Sequence, residues 1–168
     1  MIKFSDPRSD FVIGKKKYIK IFSKIINSGN YILSNETINF EKKFSHFVGM
    51  KYGVGVNSAT DGLIISLKNY NIGKGDEVIT SPFTFVATAN AISHLGAFPH
   101  FIDINSFNFS LSSRLISERL SKVAFKKEGK VFNIETGRRI AAILPVHVFG
   151  IPADILEIKK VAKEWNLP

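Results

Sequence analysis

The sequence predicts an α/β protein of three layers, a mostly parallel sheet with helices packed on both faces. Three observations carry this expectation. Short apolar runs alternate with helical patterns of about ten to fifteen residues, as chained β-α-β units require. Three of those runs end in polar or proline-bearing turns, at Asn57–Asp61, Pro82–Phe85 and Pro145–Gly150. And 168 residues with 45% apolar content can bury a real core while remaining within the size of one domain.

Taken in order, residues 1–34 form an N-terminal helix and loop segment. Lys15 to Ile26 predicts a helix with Tyr18, Ile21, Phe22, Ile25 and Ile26 on one side, ended by the breaker cluster Asn27-Ser28-Gly29-Asn30. The larger domain runs from 35 to 168. Asn35 to Val48 predicts a helix, with Phe40, Phe44, Phe47 and Val48 on one stripe and Gly49 at its end. Tyr52 to Val56 reads as a short strand. The helix after it carries Leu63, Ile64, Ile65 and Leu67 on more than one side and is expected to be buried.

The unit then repeats. Glu77–Thr80 is a strand, Thr84–His94 a helix closed by Gly96, and Phe98–Ile102 a strand. Ser112–Val123 is a helix with Leu115, Ile116, Leu120 and Val123 inward. Ile140–Val146 is a buried strand, and Asp154–Trp165 a helix with Ile155, Ile158, Val161, Ala162 and Trp165 on one face. Between them, Glu128-Gly129 and Thr136-Gly137 flank Val131-Phe132, so residues 124–139 read as a β-hairpin inserted into the core. There is no internal repeat and no low-complexity tract.

The net charge of +9 is unevenly spread. Residues 1–51 carry +6 and residues 114–139 carry +5, whereas residues 52–113, which hold the best motifs, sum to −2. No helix pairs a basic row with exposed aromatics, so a nucleic-acid partner is not expected. Fifteen phenylalanines read as core filling. The chain has no cysteine, which excludes disulfides and thiolate metal sites. The opening Met-Ile-Lys-Phe-Ser-Asp-Pro has an acid and a proline where a signal peptide needs an apolar core, and no run reaches the length of a membrane span. A cytoplasmic protein without a membrane partner is expected.

Ligands of open parallel sheets gather beyond the carboxyl ends of the strands. The three turns are therefore the places to look for chemistry. Asn57, Ser58, Thr60 and Asp61 are all helix N-cap types. A helix start offers free N–H groups and partial positive charge, which suits a phosphate. The same residues suit a turn capped by its own hydroxyls, and on their own they leave both readings open. His147, ending a buried strand, reads either as a hydrogen-bonded structural residue or as a polar group facing a ligand. His46, His94 and His100 show no metal-ligand spacing, and no metal is expected. There is no nucleophile elbow, and Gly53-Val54-Gly55 lacks the third glycine and later acid of a dinucleotide fingerprint.

Several blocks agree together: Gly55-Val-Asn-Ser-Ala-Thr-Asp-Gly62, Gly73-Lys-Gly-Asp-Glu-Val-Ile-Thr80, Ser81-Pro-Phe-Thr-Phe-Val-Ala-Thr-Ala-Asn-Ala91, Leu95-Gly-Ala-Phe-Pro99, Phe101-Ile-Asp-Ile104 and Pro145-Val-His-Val-Phe-Gly-Ile-Pro-Ala-Asp154. In this order and spacing they resemble the DegT/StrS family of nucleotide-sugar aminotransferases, which use pyridoxal 5'-phosphate (PLP), over about Gly29 to Pro168. The resemblance implies the large domain of the PLP-dependent transferase fold (aspartate aminotransferase, fold type I), present as its N-terminal part and incomplete at the C-terminus. It implies that Ser58, Ala59, Thr60 and Asp61 surround the cofactor phosphate, with Thr60 and the Asp61 amide holding it. Phe85, which alone would read as a core residue, would stack on the pyridine ring. His147 would lie near the ring oxygen or the substrate. Tyr31, in a segment similar to the family's Gly-x-Tyr-x-Leu, and Phe83 would face the substrate.

The resemblance also implies what to look for further on. The family's acid opposite the pyridine nitrogen sits in a Glu-Asp-Ala-Ala block, and its Schiff-base lysine in a Ser-x-x-Lys-type loop; neither block occurs here. Lys159, Lys160 and Lys163 fall on the outer face of the last helix. No catalytic residue is therefore assigned, and the chain alone is expected not to transaminate. The parent protein would move an amino group from an amino acid, commonly glutamate, to a nucleotide-linked keto-sugar in surface-polysaccharide (lipopolysaccharide among them) or amino-sugar biosynthesis, as a homodimer. Two alternatives stand beside this: a non-catalytic truncated fragment, and a PLP-dependent sugar dehydratase with histidine in place of the lysine.

Overall fold

The structure is a computed structural model that describes residues 5–168, with Asp10 described by its backbone alone. The chain divides into two units, Met1–Gly55 and Val56–Pro168.

In the first unit, helix α1 (Pro7–Ser28) starts where Asp6 accepts from the Arg8 amide at 3.3 Å and Pro7 takes the first helical position, which has no helical N–H bond to lose. This cap starts the helix well ahead of Lys15, where the apolar period alone begins. Gly29, at φ 68°, ends it. Helix α2 (Asn35–Phe47) follows, and its Glu36 pairs with Lys24 of α1 at 3.1 Å. The apolar stripes read from the sequence are present, but Phe22, Phe40, Phe44 and Phe47 stay exposed.

Tyr52–Val56, expected as a strand, is not one. Extended chain becomes a strand only when a neighbour takes its N–H and C=O groups, and no described segment does so. The Gly55 amide instead donates to Glu41 Oε1 of α2 at 2.6 Å. Gly53 lies so close to α2 that a Cβ there would stand 2.8 Å from the Glu41 carbonyl oxygen. Tyr52 and Val54 remain 74% and 81% exposed.

The second unit holds the sheet. Its strands are β1 (Glu77–Thr80), β2 (Phe98–Phe101), β3 (Ala124–Lys127), β4 (Lys130–Asn133) and β5 (Arg139–Ile143), in the order β2-β1-β5-β4-β3. The first three in that order are parallel, and the β3–β4 hairpin extends the sheet antiparallel from β5. Glu128 and Gly129, at φ 51° and 74°, make the two-residue turn that the flanking strands require. The insert expected at 124–139 is thus a pair of added strands.

Alternation along β1 places the two cores. Val78 packs with Leu67, Ile72, Ile92, Ala141 and Ala142, on the side of helices α3 (Ala59–Asn69) and α4 (Ala87–His94). Ile79 packs with Ile116, Leu120, Ile140, Ile143 and Ile158, on the side of α5 (Ser113–Val123) and α6 (Ile155–Trp165). A shift in register sets Glu77 opposite Ile140 but Val78 opposite Ala142, which is why two successive alanines face one side. The three layers follow directly.

Three expectations need correction here. Helix α4 starts at Ala87 and not at Thr84, leaving residues 82–86 as loop. Strand β5 ends at Ile143, short of Val146: Leu144 still bonds to β1 through its amide, but Pro145 has no N–H to continue the ladder. Helix α3 is not buried all round: Leu67 is, while Ile65 faces solvent. Among the described residues no helix is long and apolar enough to cross a membrane.

Candidate active site

The carboxyl ends of β1 and β5 are tied to each other. The Leu144 amide donates to the Ile79 carbonyl at 2.7 Å, and Thr80 Oγ1 donates to the Leu144 carbonyl at 2.8 Å. With its hydroxyl spent on that bond, Thr80 is fully buried and fixes where both following loops depart. The loops diverge around a cavity of about 600 Å³. Its wall brings together Ala59 and Thr60 from the start of α3, Phe83 and Phe85 from the loop after β1, and His147 and Phe149 from the loop after β5.

At one side is the start of α3. Ser58 caps it: its Oγ accepts from the Asp61 amide at 3.1 Å and donates to Asp61 Oδ2 at 2.6 Å. The Asp61 amide is therefore engaged by the turn's own hydroxyl. The amides of Ala59 and Thr60 belong to the first helical turn, which has no carbonyl to bond, and they have no partner among the described residues. They and the Thr60 hydroxyl are the donors left for an anion at the positive end of the helix.

At another side is Phe85, 78% exposed although it stands at the mouth of a fold with two apolar cores. The loop behind it is held by the Phe83 amide on Ser81 Oγ at 3.0 Å and by Thr84 and Thr88 hydroxyls 3.0 Å apart. His147 completes the set. The Ala153 amide can only donate, so Nδ1, 2.9 Å away, is the acceptor and the ring proton sits on Nε2. One nitrogen of His147 thus braces the loop, the structural contact that the sequence reading allowed, and the residue also lines the cavity.

Ser58 and Asp61 act behind the wall, through the cap. Tyr31 lies in the other unit, where its hydroxyl donates to the Ile26 carbonyl at 3.0 Å. Lys159, Lys160 and Lys163 are exposed on α6, and among the described residues no lysine lines the cavity.

A model of the DegT/DnrJ/EryC1/StrS aminotransferase family matches residues 13–168. The chain belongs to that family. It is 34% identical over 169 residues to the dTDP-3-amino-3,6-dideoxy-alpha-D-galactopyranose transaminase of Aneurinibacillus thermoaerophilus, covering 99% of this chain and 42% of the relative. It is 31% identical over 166 residues to a UDP-N-acetyl-3-dehydro-alpha-D-glucosamine 3-aminotransferase of Acidithiobacillus ferrooxidans, covering 99% and 41%. Among solved structures, a DegT DnrJ EryC1 StrS aminotransferase from Brucella abortus matches with a TM-score of 0.88 at 27% identity, over 99% of this chain and 42% of that one. The chain thus spans about two-fifths of the length of the curated relatives it matches. DegT/StrS aminotransferases are PLP-dependent, and the fold is the one the resemblance implied, represented by its N-terminal part.

The residues present fit that cofactor in part. Unpaired amides and a hydroxyl at a helix start suit its phosphate, and an exposed ring at the cavity suits its pyridine. Among the described residues the wall offers no lysine for its aldehyde.

The sequence reading missed a second polar group, at the opposite end of β1. Glu77 is 3% exposed. Its Oε2 accepts from Asn133 Nδ2 at 2.9 Å and lies 2.8 Å from His100 Nδ1; its Oε1 accepts from Thr136 Oγ1 at 2.6 Å. Arg119 Nε donates to His100 Nε2 at 3.3 Å, so the His100 proton is on Nδ1 and points at Glu77. Burial alone would raise the Glu77 carboxyl, but the hydrogen bonds from His100, Thr136 and Asn133 outweigh it and hold it below the ordinary range. Beside it, burial also pushes Asp76 upward, and the guanidinium of Arg139, with contacts of 2.6 and 2.8 Å, more than reverses that.

Proposed function

We propose that this chain is the cofactor-holding part of an enzyme that moves an amino group from an amino acid, glutamate foremost, to the keto group of a nucleotide-linked sugar. One observation carries the reading: the free first-turn donors of α3 and the exposed ring of Phe85 face a single cavity at the carboxyl edge of a parallel sheet. The relatives named above, whose names specify dTDP- and UDP-linked sugars, support the substrate class.

When bound, PLP would supply an aldehyde that takes up the amino group and a ring that accepts electrons during the transfer. This chain's residues do the positioning. The Ala59 and Thr60 amides and the Thr60 hydroxyl bind the phosphate dianion. Phe85 fixes the plane of the pyridine, a contact worth about 0.5–1.5 kcal/mol beyond buried area. His147 Nε2–H donates to an oxygen on the ring or the substrate, held in aim by the Ala153 amide. Leu63, Val146 and Val148 keep water from the inner wall.

Pyridoxamine phosphate is the probe of choice, because it has no aldehyde to label surface lysines. Isothermal titration is expected to show binding by the chain that Thr60→Ala weakens and Lys160→Ala leaves alone. Binding indifferent to Thr60 would sink the assignment of the phosphate site. For the reaction, an enzyme that contains this chain together with the lysine-bearing part is incubated with glutamate and a keto-sugar nucleotide, and the product is read by mass as amine in place of ketone. A product that has instead lost water would move the chemistry to dehydration.

A further inference from the structure

A second group of aromatic rings stands beside the cavity. The Phe83 ring lies 6.0 Å from Phe149, nearly edge to face at 79°, and 6.0 Å from Phe109 at 44°. Phe149 and Phe109 share an unusual backbone. Their φ values are +54° and +56°, in the left-handed region that bulky side chains avoid. Such strain persists only where the surroundings or a function hold it, and burial of the ring is the ordinary compensation. It is absent at Phe149, whose side chain is 83% exposed. Nor does the turn need a ring there: Gly150 follows, at φ 80°, with open space around it. The chain holds a strained phenylalanine where asparagine or glycine would be at ease, and its exposed ring lines the cavity, braced in a T-shaped contact with Phe83.

We propose that Phe149, supported by Phe83 and Phe109, is the stacking platform for the base of the nucleotide-linked substrate, separate from the ring of Phe85 that takes the cofactor. The inference rests on the function proposed above and gives its substrate end a residue. A base has a flat π face that an exposed aromatic ring matches whatever the base's hydrogen-bonding edge. The platform is therefore general for the base, and sugar selection lies elsewhere in the cavity.

The test is titration of the chain with uridine diphosphate, with inorganic pyrophosphate as the same anion lacking a base, and with pyridoxamine phosphate. Phe149→Gly removes the ring and relieves the backbone, so its melting temperature should hold or rise. Its affinity for uridine diphosphate should fall by about tenfold or more, with pyrophosphate and pyridoxamine phosphate unchanged. Phe149→Tyr should retain binding, and Phe85→Ala should show the reverse pattern, weakening pyridoxamine phosphate alone. The proposal is overturned if Phe149→Gly leaves uridine diphosphate untouched, if pyrophosphate binds as tightly as uridine diphosphate, or if the variant only abolishes self-association of the chain. Pyridoxamine phosphate binding without uridine diphosphate binding would end the platform and leave the functional reading intact. Uridine diphosphate binding lost in Phe149→Gly, with no pyridoxamine phosphate binding, would uphold the platform and end the cofactor reading.

Discussion

The two ends of β1 treat polar groups in opposite ways. At the amino end, Glu77 spends both carboxylate oxygens on His100, Asn133 and Thr136, and Arg119 closes the set by bonding both His100 and Glu135. At the carboxyl end, the amides of Ala59 and Thr60 and the ring of Phe85 have no partners among the described residues and stand around a cavity. Both ends concentrate polar chemistry on a parallel sheet, yet only one is unfinished. Perturbed titration is therefore a poor guide here: Glu77 and Asp76, partly buried carboxyls held below their ordinary range, belong to the finished end. What marks the site is unsatisfied, accessible bonding capacity.

The largest expected effect comes from breaking the finished end. Glu77→Ala leaves the buried Asn133 and the half-buried His100 without their acceptor, and Thr136 at the rim as well, and should cost about 3–5 kcal/mol of unfolding free energy. Urea denaturation measures it. A loss below about 1 kcal/mol would mean the network is ornamental and the contrast between the two ends is false.

A pH series sharpens the same point. The folded carboxyls of Glu77 and Asp76 lie below their ordinary values of 4.5 and 3.8. Their contribution is complete above pH 4.5, where folded and unfolded chains are both ionised. As pH falls below that, the unfolded chain takes up protons first and stability declines, until the folded carboxyls protonate as well. Glu77→Gln should flatten the upper part of this acid limb and leave the part due to Asp76. An unchanged slope in Glu77→Gln would assign the limb to other acids.

How far this was legible follows from distance along the chain. Helices α5 and α6 were readable because their apolar residues recur with a local period, and Glu128-Gly129 declared its hairpin through two adjacent residues. Tyr52–Val56 was misread because an apolar run says nothing about whether a ladder partner exists. The Glu77 network joins residues 23, 56 and 59 positions away, so only the acid heading an apolar strand could have hinted at it. Thr60, Phe85 and His147 were named from their motifs, but the tautomer of His147 depends on the Ala153 amide, which lies beyond a loop. Phe149 gave no sign of its left-handed backbone, apart from the glycine beside it.

At the open end the expected effects on stability are smaller. Ser58→Ala removes the cap of α3 and should cost about 1 kcal/mol, read by the same urea titration. It also frees the Asp61 amide, so phosphate affinity should not fall with stability. If both fall together, Ser58 itself touches the anion.

Phe85→Ala should be the least costly to the fold and the most telling about the site. A ring that is 78% exposed makes few contacts to lose, so stability should change by no more than about 0.5 kcal/mol. The same ring offers its face to whatever enters the cavity, so pyridoxamine phosphate affinity should drop by roughly threefold to tenfold, the equivalent of about 0.5–1.5 kcal/mol. The two numbers separate the two ends of β1 in one experiment: a residue of the finished end moves stability and leaves ligand affinity alone, and a residue of the open end does the reverse. A Phe85 variant that destabilises the chain by more than about 1 kcal/mol with no change in affinity would make Phe85 a packing residue, and the open edge would lose its stacking wall.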